Sequence, residues 1–527
     1  MTTGNEQEFL KPTVVTRRHG AGSQAEDATG EPAHESGGGL WKALLLIVNT
    51  VLALIALYQV LGPPTTHAAW PVSVTVAAAI CLGCHAVCVY GWFRSPYQFT
   101  SAYILALSAF HLGVTALIGL QIVEFPGWVS GPEAKWLERA GWYTILALSC
   151  LNAGFAVSLT RKGPRIGSHD PRAALAQATA YWDGLGLLAA SAVMIVFVVL
   201  SVGNLLSYSR NDFFAGVGDT RGLGVFFMLL PSAAVLLMIG ARTPATLFLA
   251  TCVATAAFLL ILLSGYRSMA LFPALVGAVV WVKIGRRIPS LVAAAGVVLI
   301  LIIIPIIGAL RAQGPYQDLN RESFVQSAEE SSIQDSFTEM GQTAAVLSHV
   351  FRLVPSFDPY RWGMSYVRAL QDSIPNVSLT IAVSDREVAK RQLVMDRSAI
   401  RALKPSEWLT FRIAREKFDV GQGVGFSTIG EAYLNFGPAG VVGFFLILGF
   451  LLGRLDQKDL FSHPNWLVLA SAMIWPLAKS VRNDFGVFIK PVIFMLLVII
   501  LWRLCIRLLP MGAPYTKTVR SPEVLSK

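Results

Sequence analysis

The feature that most limits what this chain can fold into is a succession of apolar runs, each near the ~17 to 25 residues that one helix needs to cross a bilayer. They cover approximately Leu40 to Gly62, Trp70 to Trp92, Phe99 to Val123, Gly141 to Thr160, Leu185 to Gly203 and Leu223 to Gly240. The second half adds Ala245 to Ser264, Met269 to Ile284, Pro289 to Leu310, Gly437 to Gly453, Asn465 to Ser480 and Gly486 to Leu509. With 54% hydrophobic and 14% charged residues in 527, the chain is too apolar for any soluble class. It reads as an all-α polytopic membrane protein with about 12 transmembrane helices.

The runs divide the chain into a polar, disordered cytoplasmic tail (1–39), nine crossings (40–310), a long polar region (311–436), three more crossings (437–509) and a cytoplasmic C-terminal tail (510–527). No cleavable signal peptide is expected, because the first apolar run is too long for one.

Basic residues set the orientation. With the N-terminus inside, the inner loops hold Arg94, the group Arg161 to Arg172, Arg242, Lys283, Arg286, Arg287, Arg454, Lys458, Arg503 and Arg507. The alternate loops are poorer in charge, as the positive-inside rule requires. The net charge of +10 is therefore a topology signal and not a nucleic-acid footprint. Both termini are expected inside and the long polar region outside. The short inner loops leave no room for a cytoplasmic catalytic domain.

All six cysteines fall within or beside apolar runs, so no exterior disulfide framework or zinc set is expected. Cys81 to His85 matches a haem-attachment spacing but sits mid-span, which favours small buried thiols. His85 and His111 are expected to make packing hydrogen bonds between helices. No exterior carboxylate pair or histidine pair has metal-ligand spacing, and no cofactor is expected. Asp456 and Asp459 lie on the inner side and lack a third acid.

The long region should be mainly helical. Ser384 to Glu387 has capping-box spacing, and Pro405 is placed to open a helix carrying Trp408, Phe411 and Phe418 beside Arg412, Arg415 and Lys417. A basic helix with aromatic residues suits a lipid interface. Gly421, Gly423 and Gly425 are read as a flexible entry to the next span.

The outward side carries more cations than a frame needs. Arg267 and Arg311 stand at span ends, Lys479 and Arg482 are three apart, and Lys490 lies just inside a span, where it needs a polar partner. With Arg412 and Arg415 they are candidates for gripping phosphate oxygens. Long exterior loops tolerate any charge, and span-end arginines also snorkel. Glu431 stands out among the carboxylates, between Gly430 and Tyr433, either as a general base or as the partner of an arginine.

Gly265-Tyr266-Arg267, the run Ser427 to Gly437, Arg482-Asn483-Asp484, Phe110 to Gly113, Gly363 to Tyr366 and Ile374-Pro375 together resemble the bacterial oligosaccharide repeat-unit polymerases of the Wzy or O-antigen type. The resemblance is best from Tyr266 to Asp484. It implies a GT-C-like glycosyltransferase of the bacterial cytoplasmic membrane, acting on polyprenyl-diphosphate-linked glycan donor and acceptor at the extracytoplasmic face. Arg267, Arg311, Arg482 and Lys490 would hold the diphosphate, since cations aimed at developing charge are a large catalytic term. Glu431 would be the base, with Tyr433 and Asn435 orienting sugar groups. Asp484 would be either an alternative base or the group that positions Arg482. A chain-length regulator protein is a further implied partner. The competing readings are a glycan ligase, for which His349 offers a base, and a transporter or lipid flippase without chemistry.

Overall fold

The computed structural model describes residues 35–63, 69–123, 133–160, 171–202, 228–263, 267–296, 298, 299, 302, 333–374, 400, 403–419, 423–460 and 464–508. Among them every regular element is a helix. The first eight are α1 (Glu35–Leu61), α2 (Trp70–Phe93), α3 (Phe99–Gly119), α4 (Ala134–Ser158), α5 (Pro171–Val202), α6 (Leu229–Gly240), α7 (Pro244–Leu263) and α8 (Arg267–Lys283). After a helical run at 290–296 come α9 (Ile333–Leu353), α10 (Met364–Gln371), α11 (Pro405–Ile413), α12 (Arg415–Asp419), α13 (Thr428–Asp456), α14 (Pro464–Ser480) and α15 (Phe485–Leu508).

Six of these are long and apolar enough to cross a membrane: α2, α3, α4, α13, α15 and the Gly39–Leu61 part of α1. The apolar runs and the alternation of basic loops predict twelve crossings. Leu229–Gly240, Pro244–Leu259 and Ser268–Lys283 are apolar but shorter.

Packing explains the differences among the six. Helix α4 has the lowest mean hydropathy, 1.4, and is 94% buried, whereas α1 and α15 reach 2.4 and 2.5 and are 28% and 22% buried. A helix surrounded by protein can carry polar groups if they are paired, and a lipid-facing one cannot. Asn152 of α4 accordingly donates to Asn49 Oδ1 at 3.1 Å, the same oxygen that accepts the Cys81 thiol at 3.1 Å. Cys81 is thus a buried, hydrogen-bonded thiol, and His85 makes its expected packing bond, 3.0 Å from Ser101 Oγ.

Helix α4 packs against α13 and α1, α3 against α2 and α9, α5 against α6, and α14 against α15, α8 and α5. The α4–α13 contact depends on missing side chains. A Cβ on Gly449 would lie 2.0 Å from the Leu151 carbonyl oxygen, and one on Gly154 would lie 2.1 Å from that of Leu446. Small residues let the two backbones touch.

At one end of the bundle Asp456 closes several helices together. Its carboxylate accepts the Phe99 N–H at 2.7 Å, the Thr100 N–H at 3.0 Å and the Thr100 hydroxyl at 2.7 Å, capping α3 from another helix. Lys283, at the end of α8, pairs with it at 3.3 Å and donates to Gln98 at 2.6 Å. Gln457 bonds the last residues of α4, and Lys42 near the start of α1 donates to the Leu159 carbonyl. At the opposite end Arg139 of α4 donates to Val60 O, where α1 finishes. The last residues of α4, α8 and α13 thus gather with the first residues of α1 and α3 at one end of the bundle.

Candidate functional site

The helix expected to begin at Gly437 begins at Thr428. Ser427, in extended backbone, accepts the Gly430 N–H at 3.3 Å as its N-cap, and the Ser427 hydroxyl donates to His111 Nε2 at 2.7 Å. His111 Nδ1 is 3.1 Å from the Leu107 carbonyl, which fixes that tautomer. The expected boundary survives as a break. Gly437 has φ 64° and ψ −150°, with Pro438 restarting the helix, and the Tyr360 ring packs against the glycine. Residues 428–436 thus form a short helix ahead of the apolar one, buried along most of its length.

Glu431 lies on this short helix, 2% exposed. One carboxylate oxygen accepts the Ser365 hydroxyl at 2.6 Å and the other accepts the Phe485 backbone N–H at 2.6 Å. Asn435, one turn on, donates to Ser365 Oγ at 2.7 Å and accepts the Gly363 N–H at 3.0 Å. Three chain segments therefore converge on one carboxylate: the start of α13, the start of α10 and the turn before α15.

Asp484, in that same turn and 3% exposed, accepts the Ser406 hydroxyl at 2.5 Å. This ties the start of α11 to the site. Pro405 does open α11, as expected from the sequence. Arg482 lies with its guanidinium 5.9 Å over Phe110, and its carbonyl accepts the Phe426 N–H. Lys479, mostly buried at the end of α14, precedes it by one turn.

The cation that sequence reasoning missed is Arg361. Its backbone N–H donates to Leu434 O at 2.9 Å and Nη1 donates to Leu403 O at 2.8 Å, with the guanidinium 5.3 Å from the Trp408 ring centre. Nη2 is buried with no hydrogen-bond partner among the described residues. Burial, and then Arg368 nearby, lower its pKa to about 10 against the pull of Glu431 and Asp358, so it is charged at neutral pH. The signal was a cation between two aromatic residues, Tyr360 and Trp362, just before the Gly363 motif.

The other expected residues have neighbours of their own. Tyr433 projects from the opposite side of its helix from Glu431, into a ring cluster with Tyr143, Phe351 and Tyr360, and donates to Val354 O at 3.3 Å. A two-residue step on a helix reverses the face. Arg412 is held by Asp358 through two bonds of 2.9 and 2.7 Å, with Trp408 Nε1 on the same carboxylate. Arg415 pairs with Asp419 at 3.1 Å and stacks on Phe411. Lys490 is partly buried, with Lys404 and Asp372 as charged neighbours. His349 has Arg352 and Glu133 beside it, and burial lowers its pKa. Arg311, the Ser384–Glu387 capping box and the side chain of Arg267 lie outside the described residues. No group of three or more potential metal ligands occurs among the described residues.

What the arrangement can do is hold a carboxylate away from bulk water, oriented by two donors, with the Arg361 guanidinium as a charged neighbour. Curated proteins and solved structures contain no match to this sequence. A family model described as O-antigen polysaccharide polymerase Wzy matches residues 46–511, a range that takes in the membrane frame and every residue converging on Glu431. The chain is a membrane protein belonging to the Wzy family of O-antigen polysaccharide polymerases.

Proposed function

We propose that the chain joins oligosaccharide repeat units carried on polyprenyl diphosphate at the outer face of the bacterial cytoplasmic membrane. The observation that carries this reading is the Glu431 carboxylate, buried and doubly hydrogen-bonded, beside the partly unsatisfied Arg361 guanidinium. A hydroxyl of the incoming unit attacks the anomeric carbon of the growing chain. The bond from that carbon to the diphosphate oxygen breaks, and polyprenyl diphosphate leaves with the electron pair. Glu431 takes the hydroxyl proton. Arg361 and Arg482, with Lys490, Lys479 and the outward Arg267 and Arg311, offset the charge growing on the leaving phosphate. Asn435 holds Ser365 against Glu431, and Asp484 fixes α11 through Ser406.

The meeting of the lysine-bearing end of α8 with the end of α13, far along α13 from Glu431, supports an outward-facing site with both termini inside. A separate chain-length regulator would bind at the same outer face.

The test supplies purified protein in lipid with a lipid-diphosphate-linked repeat unit as the only glycan. A ladder that is lost in Glu431→Gln and Arg361→Ala supports the reading. An unextended unit that is passed to a different added acceptor points to a ligase, and one that crosses the bilayer unaltered points to a flippase.

A further inference from the structure

Trp362 has a backbone that bulky residues rarely adopt and an exposure that large aromatic residues rarely have. Its φ is 50°, in the left-handed region, and its side chain is 73% exposed. The cause is a lock on the site. The Trp362 N–H donates to Asn435 O at 3.0 Å, and the next N–H, of Gly363, donates to Asn435 Oδ1 at 3.0 Å. Gly363 has φ 84°, and a Cβ there would meet the Phe436 ring at 3.1 Å. Two residues later Ser365 reaches Glu431. The same bonds that assemble the carboxylate site thus turn the indole outward. Tyr360 and Phe436 flank it at 6.2 and 6.4 Å with planes at 72° and 68°, so neither ring lies flat on it.

We propose that the indole of Trp362 is a stacking platform for a saccharide ring of the lipid-linked unit, next to Glu431. This rests on the polymerase reading above. An indole face is electron-rich, and the C–H-bearing face of a pyranose complements it while the sugar hydroxyls at the rim stay hydrated. A tryptophan can also anchor at a membrane interface. An anchor needs no fixed position relative to Glu431, whereas a saccharide subsite does, and Trp362 is fixed through Asn435, one helical turn from that carboxylate.

The test uses the full chain in lipid nanodiscs. Trp362→Gly removes the indole while glycine accepts the left-handed backbone without strain. Trp362→Phe keeps a smaller platform. In Trp362→Gly the KM for the lipid-linked unit rises about tenfold, the size of one aromatic contact, kcat stays within about threefold, and Trp362→Phe falls between. The repeat-unit oligosaccharide freed of its lipid by mild acid binds wild type and Glu431→Gln in saturation-transfer NMR, and not Trp362→Gly. A Trp362→Gly protein that matches wild type in KM or in oligosaccharide binding overturns the proposal. If oligosaccharide binding persists and only stability in the bilayer is lost, the indole is a membrane anchor. If Glu431→Gln extends chains normally, the assignment of the base fails, and the oligosaccharide arm alone decides on Trp362.

Discussion

The Glu431 carboxylate accepts the Phe485 backbone N–H at 2.6 Å, across 54 residues of sequence, fastening the first turn of α13 to the first residue of α15. Its other oxygen takes the Ser365 hydroxyl at the same distance. Both bonds need an acceptor of this length. Glu431→Gln keeps the length and one acceptor oxygen and removes the proposed base, so chain extension falls by about 10²- to 10⁴-fold while stability falls only by the ~1 kcal/mol of one buried hydrogen bond. Glu431→Asp, too short to span both donors, loses activity and stability together. Extension assays paired with thermal unfolding in detergent separate the two variants.

Arg412 tests the difference between a charge that binds substrate and one that holds the fold. Its side chain is 29% exposed and the Asp358 side chain that it clasps is 10% exposed. Arg412→Ala leaves that carboxylate with Trp408 Nε1 and costs about 1–3 kcal/mol of stability. The KM for the lipid-linked unit stays at its wild-type value. A tenfold rise in KM at unchanged stability would return Arg412 to the substrate site.

At the other end of the bundle, Asp456→Ala strips the cap from α3 and leaves Lys283 buried without its carboxylate. The pair has side-chain exposures of 0% for Asp456 and 12% for Lys283, so the loss is about 3 kcal/mol or more. Asp456→Asn keeps one acceptor oxygen, for either the Phe99 or the Thr100 N–H, and loses less. Folded yield and thermal midpoint rank the variants wild type, Asn, Ala, and the activity per folded molecule of Asp456→Asn stays near wild type.

Gly449→Ala places a methyl where the Leu151 carbonyl oxygen would be 2.0 Å away, so α4 and α13 must separate. The expected cost is about 1–3 kcal/mol, because backbone and not a flexible side chain has to move. Gly443, with nothing within 4 Å of its added Cβ, serves as the control on the same helix. Gly443→Ala leaves the thermal midpoint within error or raises it, as helix propensity predicts.

The sequence by itself determined the helical class and the membrane setting, and it singled out Glu431 and Asn435, which the fold joins through Ser365. Long apolar runs and clustered polar residues between them survive in any arrangement of the chain, so a linear reading recovers them. It also placed the start of the apolar helix at Gly437, where the structure has a break in α13. What only the tertiary structure decided is which side chain meets which. The linear reading ended the polar region at Gly437 because residues 428–436 lack a lipid-like run, but those residues form a helix buried against protein, where polarity is tolerated once it is paired. Helical phase within that piece then sent Glu431 and Asn435 one way and Tyr433 the other. Ser365 joins Glu431 and Asn435 from 66 and 70 residues away, Ser406 joins Asp484 from 78 residues away, and Arg361 comes in on the Leu434 carbonyl. Arg412 was claimed by Asp358. Charge and composition are properties of a residue, while a hydrogen-bond partner is a property of the fold, because it depends on the short distance at which two distant segments come to rest.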